Sequence, residues 1–139
     1  MMYTLYDKKT GQITGRTNDS EVAKLRSSIP GSFDSSKYYI KNGVPITLPE
    51  KPSRQSWHVY KMNNGVWNLN LELTTKKALE FRRYLLSTYV DKVNPIWLSQ
   101  MNAVQQLQVA NYRQDLLDIT DQPNFPVDII WPNVPDILK

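Results

Sequence analysis

The chain has no cysteine and a single histidine, His58. Without thiols, neither a disulfide framework nor a thiolate metal site can form. One imidazole cannot build a histidine-based metal cluster. A nucleophile–His–carboxylate arrangement would have to use His58, and no Gly-x-Ser-x-Gly elbow accompanies it. The five glycines are scattered, and none precedes Lys-Ser or Lys-Thr, so no phosphate-cradling loop is present. No apolar run approaches the roughly twenty residues of a membrane span. The opening MMYTLYDKKTG carries no apolar core of signal-peptide length. These absences point away from enzyme chemistry, and no catalytic residue, cofactor or metal ligand is expected. They suit a reducing cytoplasm.

What is present is an ordinary globular composition. The 139 residues fit one domain or two small subdomains. Hydrophobic residues make up 40% and charged residues 22%, enough for a modest core. Lys plus Arg number 17 against 13 acidic residues, a net charge of +4 that serves solubility without requiring nucleic acid. Lys76, Lys77, Arg82 and Arg83 cluster, but Phe81 beside them belongs to an apolar helix face rather than to a stacking platform.

The first half reads as β structure. Tyr3–Tyr6 and Gln12–Arg16 form a hairpin across Asp7–Gly11, where Gly11 supplies a positive φ. Residues 17–36 read mostly as loop, with Asn18-Asp19-Ser20 placed to cap a short helix. Lys37–Lys41 and Ile46–Leu48 flank Asn42-Gly43, a strong hairpin signal. Pro45, Pro49 and Pro52 suggest an edge strand followed by a linker. In Ser56–Leu73, WHVYKM and VWNLNL are joined by Asn63-Asn64-Gly65. A two-residue Asn64-Gly65 turn sets Tyr60 opposite Leu69 and Met62 opposite Trp67. A three-residue loop sets Val59 opposite Leu69 instead. The Asn-Gly pair favours the first register.

The character changes after residue 73. Between Thr74 and Thr120 there is no glycine and one proline, Pro95. Thr74 or Thr75 is expected to cap a helix running to about Val90. A second helix starts near Asn102, which has capping-box spacing to Gln105, and runs to about Ile119. Its apolar residues make two stripes: Ala103, Leu107, Ala110 and Leu117 on one side, Val109, Tyr112, Leu116 and Ile119 nearly opposite. Contact on both sides is expected, from the first helix on one and from the strap, the β part or another chain on the other. Arg82 falls within the apolar face of the first helix, and a buried guanidinium requires a partner. Asp115 or Asp118 is the expected carboxylate of a structural ion pair. The tail contains Pro123, Pro126, Pro132 and Pro135, so it is extended rather than helical. Phe125 and Trp131 mark it as a docked strap, since disordered tails are poor in such residues.

The fold class is therefore α+β, with an antiparallel β part over residues 1–73 and a helical hairpin with a proline-rich strap over 74–139. Three pieces of the second part carry a family resemblance. They are Arg82-Arg83-Tyr84-Leu85-Leu86, Tyr112-Arg113-Gln114-Asp115-Leu116-Leu117-Asp118-Ile119, and Phe125-Pro126 followed by Trp131-Pro132-x-x-Pro135. In order and spacing they resemble the tail assembly chaperone, or tail fibre assembly, family of tailed bacteriophages. The opening Tyr-x-Leu-Tyr-Asp-x-x-Thr-Gly is similar to phage tail proteins of this type. Four positions depart from the pattern: Thr88-Tyr89 stands where members often have Asp-Trp, Val109 where they often have Trp, and Leu117 where arginine is common.

The resemblance implies a non-catalytic protein that binds a phage tail or tail-fibre polypeptide in the host cytoplasm, without nucleic acid or membrane. Self-association is compatible with it. Tyr112, Arg113, Phe125 and Trp131 are the expected anchors or supports of the contact surface. The alternative is a structural subunit retained in the virion, as part of the tail, a fibre connector or a decoration.

Overall fold

A computed structural model describes residues 1–52 and 55–139. The molecule is α+β, with antiparallel hairpins preceding helices. Its contacts divide it into two units, Met1–Arg54 with Tyr60–Leu69, and Gln55–Val59 with Asn70–Lys139. Residues 55–59 and 70–73 thus group with the helices. Part of the linker expected after Pro52 falls on Ser53 and Arg54, outside the described residues.

Among its described residues the first unit holds seven short strands in three sheets. Strand β1 (Tyr3–Tyr6) is central between β2 (Ile13–Thr17) and β3 (Ser28–Pro30). The other two sheets are the hairpins β4 (Tyr38–Lys41) with β5 (Val44–Thr47), and β6 (Tyr60–Asn63) with β7 (Val66–Leu69). Both turn on Asn-Gly with positive φ at both residues, 54° and 75° at Asn42-Gly43 and 49° and 82° at Asn64-Gly65. This backbone twist matches that of the flanking strands. The two-residue turn sets Tyr60 opposite Leu69 and Met62 opposite Trp67, the favoured register.

The stretch expected to be mostly loop is more ordered than that. Asp19 caps a short helix, α1 (Ser20–Leu25), through its carboxylate. Ser28–Pro30 then pairs antiparallel with β1, with Pro30 opposite Tyr3. Proline lacks an N–H, and an edge strand tolerates that loss. Ile13, Ile29 and Ile40 form the core of this unit, flanked by Tyr6, Phe33 and Tyr38. Thr4 is fully buried, and its hydroxyl both donates to Gly31 O at 2.8 Å and accepts from Phe33 N at 3.0 Å. A buried hydroxyl is tolerated because both its roles are filled.

The second unit begins with α2 (Leu71–Leu85). Its cap is Asn70, whose side-chain oxygen accepts from Leu73 N at 2.9 Å. Thr74 is fully buried and instead accepts from Val59 N at 3.0 Å, so the expected threonine cap is displaced by one turn. Leu86–Val90 continues as a π-helical turn, closed by Asp91 N donating to Leu86 O at 2.8 Å. A short helix, α3 (Pro95–Ser99), follows, with Pro95 in its first turn and Asn94 as cap. Proline suits that position because the N–H it lacks would be unsatisfied there anyway.

Helix α4 (Ala103–Leu117) has the expected capping box, with Asn102 Oδ1 accepting from Gln105 N at 2.8 Å and Gln105 Oε1 from Asn102 N at 3.2 Å. A 3₁₀ turn, Asp118–Asp121, ends it, and a final one spans Asp136–Leu138. Helices α2 and α4 run antiparallel. Ala78 shares a core cluster with Ile119, Arg82 reaches Leu117, and Leu85 packs with Tyr112 and Leu116. Partners thus fall along α4 as they rise along α2.

Candidate functional site

The chemistry-bearing residues of the second unit are organised by how the strap is held. Trp57 Nε1 donates to Pro126 O at 2.8 Å, and a ring nitrogen of His58, Nε2, bonds Val127 O. Three residues after Val127, Ile130 is clamped by the primary amide of Gln122. Its Nε2 donates to Ile130 O at 2.9 Å and its Oε1 accepts from Ile130 N at 2.8 Å. A side-chain amide offers the same donor and acceptor pair as a backbone unit, so it stands in for a neighbouring strand. Ile129 between these anchors is buried with Trp57, Ala78 and Ile119.

Trp131 is half-buried and lies at the junction of the two core clusters. Its ring meets Trp57 edge-on at 5.7 Å and Phe81 edge-on at 4.8 Å between centroids. Edge-to-face pairs at these separations are the favoured arrangement of aromatic quadrupoles. Phe125 is half-buried against the same cluster. Both aromatics of the strap therefore close this unit's own core.

Tyr112 is 2% exposed and packs with Leu85 and Leu116. Burial, then the neighbouring Tyr89, raises its phenol above the ordinary 10.0. It supports the surface and does not present a side chain to a partner. Arg113, the next residue, points the other way and is exposed. Among the four expected contact residues, only Arg113 is open; Tyr112 and Trp131 come together, with Phe125 further along the same strap.

The expected ion pair of Arg82 is corrected. The guanidinium is half-buried as anticipated, but Nη1 donates to the Leu117 backbone carbonyl at 3.2 Å. Asp115 is exposed, and Asp118 accepts from Gln114 Nε2 at 2.9 Å. Among the described residues the ion pairs are Lys24–Glu21 and Lys139–Asp136. The physical reason is local. Leu117 ends the α-helix, where the last carbonyls lack intrahelical donors, and a cation near a helix C-terminus satisfies both the hydrogen bond and the dipole.

The two stripes of α4 have different fates. Val109, Tyr112, Leu116 and Ile119 are buried. On the other side Leu107 is 60% exposed, Ala103 and Ala110 are also exposed, and Leu117 is half-buried; Val104, on the flank between the stripes, is 65% exposed. This chain buries one of the two sides on which contact is expected. From Ala103 to Gln108 no residue is buried, since α2 and its π-helical turn face only the later part of α4. Beyond the buried stripe, Gln108, Asn111 and Asp115 line an open groove of about 460 Å³ with Pro132–Asp136 of the strap.

Trp57, His58 and Gln122 are contributors that periodicity did not single out. Trp57 reads as part of the β6 strand only if the hairpin extends that far. The signal that it does not is Asn70 followed by Glu72, a cap and a first-turn acid that start a helix where the returning strand would continue. Gln122 carries no such signal, because a glutamine clamp depends on a strap residue eight positions away.

Among the described residues no group of three or more His, Cys, Asp or Glu side chains could hold a metal ion. No helix among them is long and apolar enough to cross a membrane. What the arrangement supplies is a rigid aromatic core under a strap, and a bare apolar stripe on one helix. No protein-family model, curated protein or solved structure matches the chain.

Proposed function

We propose that this chain is a non-catalytic assembly protein of a tailed bacteriophage, binding a tail or tail-fibre polypeptide while that polypeptide folds or assembles in the host cytoplasm. The observation that carries this reading is the convergence of the three family-like pieces. Leu85 and Leu86 of the first, Tyr112 and Leu116 of the second, and Trp131 of the third pack in one cluster. Arg82 of the first is bonded to Leu117 of the second. Residues that are scattered over fifty positions in the chain thus act as one structural unit, as expected if the resemblance reflects a shared architecture.

The proposed contact surface is the outer stripe of α4, centred on Leu107 with Ala103 and Ala110 beside it. Exposed apolar residues grouped on one helix face fit a helix-in-groove contact, and Arg113, exposed on the same helix, is of a residue type enriched at interface hot spots. The alternative role, a subunit that stays in the particle, would use the same surface permanently.

Co-expression with the tail and fibre polypeptides of the phage that encodes it provides the test. Co-purification with one of them, together with a higher soluble yield of that partner, is the expected result. No association with any of them sinks the reading. Peptide mapping of mature particles then separates the two roles: absence supports a transient assembly factor, and stoichiometric presence supports a structural subunit.

A further inference from the structure

The first unit contains the same three-residue sequence twice, Asn42-Gly43-Val44 and Asn64-Gly65-Val66, each as the turn of a hairpin. Asn-Gly is the dipeptide most prone to spontaneous deamidation, because glycine offers no side chain to hinder attack by its own amide nitrogen. The backbone of the two turns is nearly alike, with positive φ at all four residues. Both asparagines line one open cavity of about 530 Å³, so water reaches each. Intrinsic reactivity is thereby matched, and any difference is imposed by what surrounds the turns.

The surroundings differ sharply. Asn64 is latched: its Nδ2 donates to Lys9 O at 3.0 Å and its backbone N to Thr10 O at 2.7 Å. The Gly65 N–H is also engaged, by Met62 Sδ at 3.1 Å. The turn is closely packed as well, since a Cβ on Gly65 would lie 2.5 Å from the Tyr39 hydroxyl. Around Asn42 none of this exists. Its side chain is exposed and makes no hydrogen bond among the described residues, and a Cβ on Gly43 would meet nothing within 4 Å.

We propose that Asn42 is a site of spontaneous deamidation in the folded protein, and that the fold protects Asn64. In the first step the Gly43 nitrogen attacks Asn42 Cγ. An N–Cγ bond forms, the Cγ–Nδ2 bond breaks, and Nδ2 leaves as ammonia with the proton from Gly43, giving a cyclic imide. Water then adds to one imide carbonyl and opens the ring to aspartate or isoaspartate. No oxidant or cofactor takes part. At Asn64 the same step requires the side chain to leave Lys9 and the Gly65 nitrogen to give up its acceptor in a packed turn. The product at position 42 places a new carboxylate in a cavity lined by Lys8 and Lys41, which favours the charged form. Isoaspartate additionally inserts a methylene into a two-residue turn, which cannot keep the Lys41–Val44 pairing.

The test ages the full chain in mildly alkaline buffer, folded and in denaturant, and follows both tryptic peptides by mass spectrometry. In denaturant the two sites are expected to react at comparable rates, setting the intrinsic ratio. In the folded protein the ratio of Asn42 to Asn64 deamidation is expected to rise several-fold above that intrinsic ratio. A folded ratio equal to or below the denatured one overturns the proposal, whatever the absolute rates.

Discussion

The two sides of α4 share a helix, a cap and a similar apolar content, yet one is core and the other is bare. Val109, Tyr112, Leu116 and Ile119 are buried, while Leu107 remains mostly exposed. The difference teaches that periodicity reports which residues avoid water, not which of them the same chain covers. The inner side is answered by Leu85, Trp131 and the strap. The outer side keeps Ala103, Leu107 and Ala110 exposed, which is why a binding role is proposed for it.

The largest effect expected from this comparison is on the inner side. Leu116→Ala removes a fully buried side chain from the cluster that joins α2, α4 and the strap. A loss of about 2–5 kcal/mol is expected, from lost transfer energy and an incompletely collapsed cavity. Urea unfolding of the variant measures it, and a change below that range would mean the inner side is not the core it resembles.

An intermediate effect tests the corrected role of Arg82. Arg82→Ala deletes a charged donor to the Leu117 carbonyl, for an expected cost of about 1–2 kcal/mol given partial exposure. Asp115→Ala should stay within about 0.5 kcal/mol, because that carboxylate is exposed and outside any ion pair. Equal losses from both variants would restore the ion-pair assignment.

The smallest effect on stability is on the outer side. Leu107→Gln keeps a good helix former and should leave stability unchanged within about 0.5 kcal/mol. Binding to the tail or fibre partner should fall by about 1–2 kcal/mol if the residue is an anchor. A variant that folds and binds like the parent would detach function from this side of the helix.

Local chemistry made much of the fold legible. The Asn-Gly turns dictate their own backbone, and with it the Met62–Trp67 register. Asn102 and Gln105 announce the start of α4 because a capping box is satisfied within four residues. The features that escaped depend on distant partners. Pro30 argues against a strand unless one knows that it lies on an edge. Trp57 alternates correctly with its neighbours, but its indole finds Pro126 sixty-nine positions away. Arg82 shows from its position that it needs an acceptor, and nothing in a side-chain inventory says that the acceptor is a backbone carbonyl. For the candidate site, the strap and its two aromatics were evident, whereas the two stripes of α4 did not show which side this chain would cover.

The course of the chain through Gln55–Val59 has a consequence for modularity. The segment leaves the β unit, supplies Trp57 and His58 to the strap, and returns to form β6 before the chain finally departs at Asn70. The helical unit is therefore not a contiguous cassette. A fragment beginning at Asn70 would carry both long helices and the whole tail, but not the indole that holds Pro126 or the amide that caps Thr74. Recombination or tagging at that junction separates the strap from its clasp, whereas the two ends of the 55–59 excursion must be inherited together with the hairpin that follows.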